Sequence, residues 1–110
     1  MKKSVPLYMI SDSVGETSLK LVNAAAAQFP TVDFDLSYRF PFTKDEEELK
    51  SILGDALKDS AVVVTTLVSD NLTQIVEDFA ERTGLQYINL MSQFMDIVHQ
   101  KTGVAPLQQA

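Results

Sequence analysis

Apolar positions along the chain switch period seven times, and each switch marks a new element. Val5–Ile10 is a short apolar run and reads as a buried strand. From Val14 onward the spacing becomes helical, with Leu21, Val22, Ala25, Ala26 and Phe29 on one face. Ser13 and Glu16 have the spacing of a capping box, and Pro30 is placed to stop that helix. Val32, Phe34, Leu36, Tyr38 and Phe40 then alternate strictly with Asp33, Asp35, Ser37 and Arg39. Period two means one buried and one wet face, which predicts an edge strand, and Pro41 ends it. Thr43 and Glu46 form a second capping box ahead of a helix that points Leu49, Ile52, Leu53, Ala56 and Leu57 inward, with Glu46–Lys50 as a surface pair. Ala61–Val64 is continuously apolar and predicts a central strand buried on both faces. Ser69 or Asp70 can cap a helix carrying Leu72, Ile75, Val76 and Phe79 inward, closed by Gly84. Leu85–Leu90 reads as a fourth strand, and Ser92 starts a last helix with Phe94, Met95 and Val98 inward, ending near Gly103 before Pro106.

Four βα units with short connections predict an α/β fold: a four-stranded, mostly parallel sheet with helices on both faces and right-handed crossovers. A central third strand and an edge second strand suit the order 2-1-3-4, a flavodoxin-like or Rossmann-like three-layer sandwich. The switch point then lies between strands one and three. Ser11–Thr17 and Thr65–Asp70 face one crevice there, flanked by Tyr38–Thr43. Residues 1–104 make a single domain. Residues 105–110 read as the start of a linker, which predicts one domain of a longer protein.

Composition narrows the partners. The chain has 110 residues, 45% hydrophobic and 22% charged, enough for one domain with a real core. A net charge of −6 makes nucleic acid and anionic membrane poor partners. No segment approaches membrane-spanning length and no signal peptide is visible, so a cytoplasmic domain is expected. With no cysteine, disulfides and thiolate chemistry are excluded, and no cluster has metal-ligand spacing.

The chemistry concentrates in Ser11-Asp12-Ser13-Val14-Gly15-Glu16-Thr17, where a strand ends, hydroxyls and one glycine follow, and a helix begins. N–H groups at a helix N-terminus attract phosphate, and a glycine allows close approach. Ser11, Ser13, Gly15 and Thr17 are therefore candidates to hold a phosphoryl group, against the plainer reading of a well-capped helix. Asp12 and Glu16 oppose a dianion, and Glu16 is explained better as a cap than as a base. Asp12, Arg39, Thr65, Thr66 and Ser69 are further crevice candidates, though capping explains Ser69 equally well and Arg39 fits an exposed edge. Asp45–Glu48 is an acidic first turn favoured by the helix dipole. The single histidine, His99, falls on the last helix and reads as structural or exposed. No phosphate loop of the form G-x-x-x-x-G-K-S/T occurs in the chain, and no Ser/His/Asp triad can be assembled around the crevice.

Tyr8–Thr17, Ala24–Phe29, Arg39-Phe40-Pro41-Phe42, Thr66-Leu67-Val68 and Gly103–Leu107, taken in order, resemble the N-terminal part of the bacterial pyruvate, phosphate dikinase or phosphoenolpyruvate synthase regulatory proteins. The resemblance implies a bifunctional serine/threonine kinase and phosphorylase. Such a protein inactivates its target enzyme by phosphorylating a threonine and reverses this with inorganic phosphate, releasing pyrophosphate. It implies ADP or ATP and inorganic phosphate as ligands of the full-length protein, with none in this chain. It also implies a C-terminal domain that carries the nucleotide-binding loop, so the chain alone is expected to be inactive. Two other readings stay open: a flavodoxin-like module binding flavin or phosphate, and a docking or dimerisation domain that forms a homodimer. Flavin stacking wants aromatic residues on later crevice loops, and Thr65–Asp70 and Met91–Gln93 supply none.

Overall fold

The computed structural model describes residues 3–109. Its elements run β1 (Lys3–Ser11), α1 (Glu16–Ala26), β2 (Val32–Phe40), α2 (Glu46–Lys58), β3 (Val62–Thr66), α3 (Asp70–Thr83), β4 (Tyr87–Asn89) and α4 (Ser92–Thr102). The four strands form one sheet in the order β2-β1-β3-β4, every pair parallel. Both the order and the α/β class agree with the pattern read from the sequence.

Two apolar clusters sandwich the sheet. On one face Tyr8, Ile10 and Val63 pack against Leu49, Ile52, Leu53 and Ala56 of α2 and Leu72, Val76 and Ala80 of α3. On the other face Leu7, Met9 and Val64 pack against Val22 of α1, with Leu19 and Leu90 at the margin. Alternation along β1 and β3 produces this division, because successive side chains of a strand leave opposite faces. The central strands therefore need apolar residues at every position, which is why β3 reads as a continuous run.

β2 keeps the predicted alternation of half-buried and exposed residues. Its apolar residues nevertheless serve both cores: Phe34 and Leu36 join the α1 cluster, while Tyr38 and Phe40 join the α2/α3 cluster. The register with β1 slips between Pro6 and Tyr8, so Pro6 faces Asp35 but Tyr8 faces Tyr38. One extra residue on β2 transfers the rest of the strand to the other layer. Pro6 brings no N–H to the ladder. The Asp35 carboxylate takes up the Ser37 N–H at 3.1 Å and the Ser37 hydroxyl at 2.6 Å. Tyr38 consequently stacks on Tyr8, ring centroids 4.5 Å apart.

The caps differ from expectation in two of three places. Ser69 caps α3, accepting from the Leu72 N–H at 3.4 Å, and Gly84 closes it in the left-handed region as foreseen. Ser13 does not cap α1: the N-cap is Gly15, at φ 82°, and no side chain caps the first turn, so Glu16 closes no capping box. Thr43 does not cap α2 either. Its hydroxyl donates to the Phe40 carbonyl, and Asp45 is the cap, accepting from the Glu48 N–H at 2.9 Å. A side chain spaced for a cap fails to be one when a nearer partner engages it first, the Ser11 hydroxyl for Ser13 and the Phe40 carbonyl for Thr43. Similarly, Lys50 pairs with Glu47 at 3.7 Å rather than with Glu46.

Burial also departs from helical spacing. Of the face expected to be buried on α1, Val22 is buried, but Leu21, Ala25 and Phe29 are exposed. Only Ser18 and Val22 of that helix are buried. The helix ends at Ala26, and short turns carry the chain from Ala25 past Pro30 to Val32. Leu57 of α2 is 40% exposed. On α4 no residue is buried: Phe94 and Val98 are 68% and 43% exposed, and Met95 is half-buried. Periodicity marks an apolar stripe, but contact with the sheet depends on where the crossover sets the helix down.

Candidate functional site

The carboxyl ends of β1 and β3 meet at Ser11 and Thr66, which are register partners. Paired residues of adjacent parallel strands point to the same face, so Ser11 and Thr66 follow Met9 and Val64 onto the α1 side. Ile10 and Thr65 lie opposite, on the α2/α3 side. The carboxyl edge of the sheet therefore carries two half-sites, and Asp12 and Ser13 divide between them.

On the α1 side the turn is locked by short hydrogen bonds. The Ser11 hydroxyl accepts from the Ser13 N–H at 3.0 Å and lies 3.3 Å from the Ser13 hydroxyl. The loop after β2 pins the same segment, since the Phe42 N–H donates to the Ser13 carbonyl and the Thr43 N–H to the Ser11 carbonyl, both at 2.8 Å. Gly15 then turns the chain into α1, and the buried Ser18 hydroxyl donates back to the Gly15 carbonyl at 3.1 Å. A Cβ at Gly15 would lie 3.6 Å from Ser11 Cβ, ordinary contact, so positive φ is what demands glycine here. Ser11 is buried, Ser13 half-buried and Thr17 exposed, and the first turn of α1 has no side-chain cap. The Thr66 hydroxyl is buried without a partner on this same face, and the Thr65 hydroxyl is likewise unpartnered on the opposite one.

On the α3 side Asp12 is only 4% exposed. One carboxylate oxygen, Oδ2, accepts from the N–H groups of Val68 at 3.0 Å and Ser69 at 3.3 Å, at the start of α3. The other, Oδ1, is buried and has no partner. The positive end of α3 offsets this charge, which reduces its repulsion of an anion at α1. Asp12 lines a cleft of about 320 Å³ with Lys44, Ser69, Asn71, Leu72, Gln108 and Gln109. The segment after α4 is held by Gln108, whose Oε1 accepts from the Asp70 N–H at 3.2 Å and whose Nε2 donates to Asp70 Oδ2 at 2.7 Å.

Of the residues singled out in the sequence, Ser11, Ser13, Gly15 and Thr66 gather on the α1 side with Thr17 just beyond. Asp12 and Ser69 gather on the α3 side. Arg39 is exposed on β2, with Met9 as its register partner, and does not line the cleft. Lys44, Asn71 and Gln108 were not anticipated. Lys44 was legible in principle, since it follows the carboxyl end of β2. The return of Gln108 to α3 carries no local signal. His99 is exposed, and its Nδ1 lies 2.9 Å from the Val104 carbonyl. Among the described residues no group of three or more His, Cys, Asp or Glu side chains could hold a metal ion, and no helix is long and apolar enough to cross a membrane.

Comparison with known proteins places this architecture. The chain is 51% identical over 109 residues to a protein of Enterococcus faecalis and 48% identical over 108 residues to one of Streptococcus sanguinis, both named as pyruvate, phosphate dikinase regulatory proteins. A protein of Pediococcus pentosaceus with the same name is 38% identical over 105 residues. The first two alignments take in 99% and 98% of this chain but only 40% of each relative, so the chain spans about two fifths of their length. Among solved structures, a phosphate-loop protein studied in solution aligns with 88% of the chain and 87% of its own, at 21% identity and a TM-score of 0.47, too slight a likeness to carry an argument. A family model described as kinase/pyrophosphorylase matches residues 7–110. With the matched region and the relatives agreeing over essentially the whole sequence, the chain belongs to the kinase/pyrophosphorylase family.

Proposed function

We propose that this chain is the N-terminal domain of a bifunctional kinase and phosphorylase that regulates pyruvate, phosphate dikinase, or phosphoenolpyruvate synthase, by reversible phosphorylation of a threonine. Membership of the family and the names of the relatives support the regulatory role. In this reading the full-length protein uses ADP or ATP for phosphorylation and inorganic phosphate for its reversal, in the cytoplasm, and a C-terminal domain holds the nucleotide. The turn Ser11–Thr17 supplies an anion site for phosphate, pyrophosphate or the phosphorylated side chain.

One observation carries the anion site. α1 starts directly behind a left-handed glycine with no side-chain cap, so its first N–H groups are free to receive an anion rather than occupied by a serine or aspartate. The buried, unpartnered hydroxyl of Thr66, in register with Ser11, lies on the same face as a further donor. Backbone pins from Phe42 and Thr43 hold the turn before a ligand arrives, which lowers the ordering cost of binding.

Titration of the labelled chain with phosphate and pyrophosphate tests this. The amide resonances of Gly15, Glu16 and Thr17 are expected to shift, and saturation at about 100 times Kd raises stability by about 2.7 kcal/mol. Unchanged amides and melting temperature at millimolar pyrophosphate would overturn the anion site. The isolated chain is expected to transfer no phosphate, and phosphorylation of the dikinase by this chain alone would overturn the assignment of nucleotide to another domain.

A further inference from the structure

The cleft on the α3 side holds an acceptor without a donor. Asp12 is more than nine-tenths buried, Oδ2 is engaged by Val68 and Ser69, and Oδ1 has no partner. A carboxylate oxygen only accepts, so what meets it is a hydrogen donor or a cation. An anion does not fit, because Asp12 already occupies the positive end of α3 and Asp70 adds a second carboxylate there. A multivalent cation does not fit either. The described residues offer no group of three metal-binding side chains, and Lys44 lines the same cleft with a positive charge. A neutral donor remains, a hydroxyl or an amide N–H, and the kinase and phosphorylase reading supplies the hydroxyl.

The shape of the occupant is visible in what closes the cleft now. Gln108 and Gln109 lie against it as part of an irregular stretch of chain running from Gly103, and Gln108 reaches both the N–H and the carboxylate of Asp70. A stretch of polypeptide thus already uses the start of α3 as a docking edge. Gln108 does so at φ 61°, a conformation a non-glycine residue adopts at a cost, which weakens the hold of this segment on the cleft.

We propose that the Asp12 cleft binds a peptide segment bearing serine or threonine, whose hydroxyl donates to Asp12 Oδ1, and that residues 104–109 compete for it. The inference rests on the kinase and phosphorylase reading, which needs a hydroxyl-bearing peptide as acceptor, and it assigns that acceptor a place separate from the anion turn.

Two acetylated, amidated pentapeptides, Gly-Gly-Thr-Gly-Gly and its alanine counterpart, test it by amide-shift titration of the chain. The threonine peptide should move Val68, Ser69 and Asn71 and bind at least about tenfold tighter than the alanine peptide, the low end of the value of one hydrogen bond to a charged group. Asp12→Asn keeps an oxygen for the Val68 and Ser69 N–H groups and should fold, which its melting temperature checks. It should remove that preference while leaving phosphate-induced shifts at Glu16 and Thr17 intact. Gln108→Ala should tighten the threonine peptide about threefold by freeing the cleft. Equal binding of the two peptides, an undiminished preference in Asp12→Asn, or no shift at Val68, Ser69 and Asn71 at about 10 mM peptide would overturn the proposal. Phosphate shifts with no peptide effect would sink the cleft and spare the anion turn, and the reverse pattern would spare the cleft alone.

Discussion

Asp12 shows how one side chain can bind two parts of a fold together. Its Oδ2 takes two N–H groups more than fifty residues away in sequence, where α3 begins. Removing it leaves both donors in a part-buried place without a partner, so Asp12→Ala is expected to lower stability by about 1–3 kcal/mol. Asp12→Asn should cost less than half as much, because an amide oxygen can accept the same bonds. Denaturant unfolding of the two variants checks this, and equal losses would mean that charge, not hydrogen bonding, is what α3 requires. Gly15 makes a contrasting case. Alanine has room there, since its Cβ would meet Ser11 at 3.6 Å. The expected loss of about 1 kcal/mol comes from the left-handed backbone alone, and a loss above about 3 kcal/mol would show that the turn tolerates no added atom.

Among the elements, the caps and the bulge decide geometry that helix and strand propensity leave open. Asp45 and Ser69 each satisfy one N–H in the first turn of α2 and α3. Alanine at either position should cost about 1 kcal/mol, whereas Thr43→Ala should leave the first turn of α2 capped. Amide exchange at Glu48 and Leu72 reports each cap separately. The bulge of β2 depends on Asp35, whose carboxyl is held below its usual pKa first by the Ser37 hydroxyl and then by the Ser37 N–H. A depressed carboxyl stabilises the fold above its unfolded pKa, and that support is lost as pH falls through the folded value. Full exposure keeps the effect small, so Asp35→Asn is expected to flatten only the acid limb of the stability curve.

At the scale of the whole molecule, stability sits in the α2/α3 layer. Leu53 is fully buried there, and Leu53→Ala is expected to cost about 2–5 kcal/mol. Phe94 of α4 is 68% exposed, so Phe94→Ser should change stability by no more than about 0.5 kcal/mol despite its size. Comparable losses for the two would show that α4 packs more closely than its exposure indicates. The same core sets an alkaline limit. Burial raises the Tyr8 hydroxyl above its ordinary value of 10.0, and its hydrogen bond to Asp59 adds to the shift; Tyr87 moves the same way by burial and the nearby charge of Glu77. A phenol whose pKa is raised by folding contributes fully while it is neutral in both states. That contribution is lost as pH rises from about 10 through the folded value. Tyr8→Phe should therefore cost about 0.5–1.5 kcal/mol near neutrality and unfold less steeply in alkali.

The alternation of apolar and polar residues determined the four βα units, the parallel sheet and its order, because strand burial on one face or two is written directly into local period. The hydroxyl-rich turn with Gly15 was legible for the same reason, being contiguous. What depends on local competition between hydrogen bonds, or on contacts distant in sequence, was not legible. Ser13 and Thr43 carry capping spacing but were claimed by their near neighbours Ser11 and Phe40. Leu21, Phe29, Phe94 and Val98 lie on apolar stripes that the crossovers leave facing away from the sheet. Only the tertiary structure could split the crevice into an uncapped helix start on one face and the buried Asp12 carboxylate on the other. Register between β1 and β3 fixes which side chains share a face, and that register is set by packing across the whole sheet.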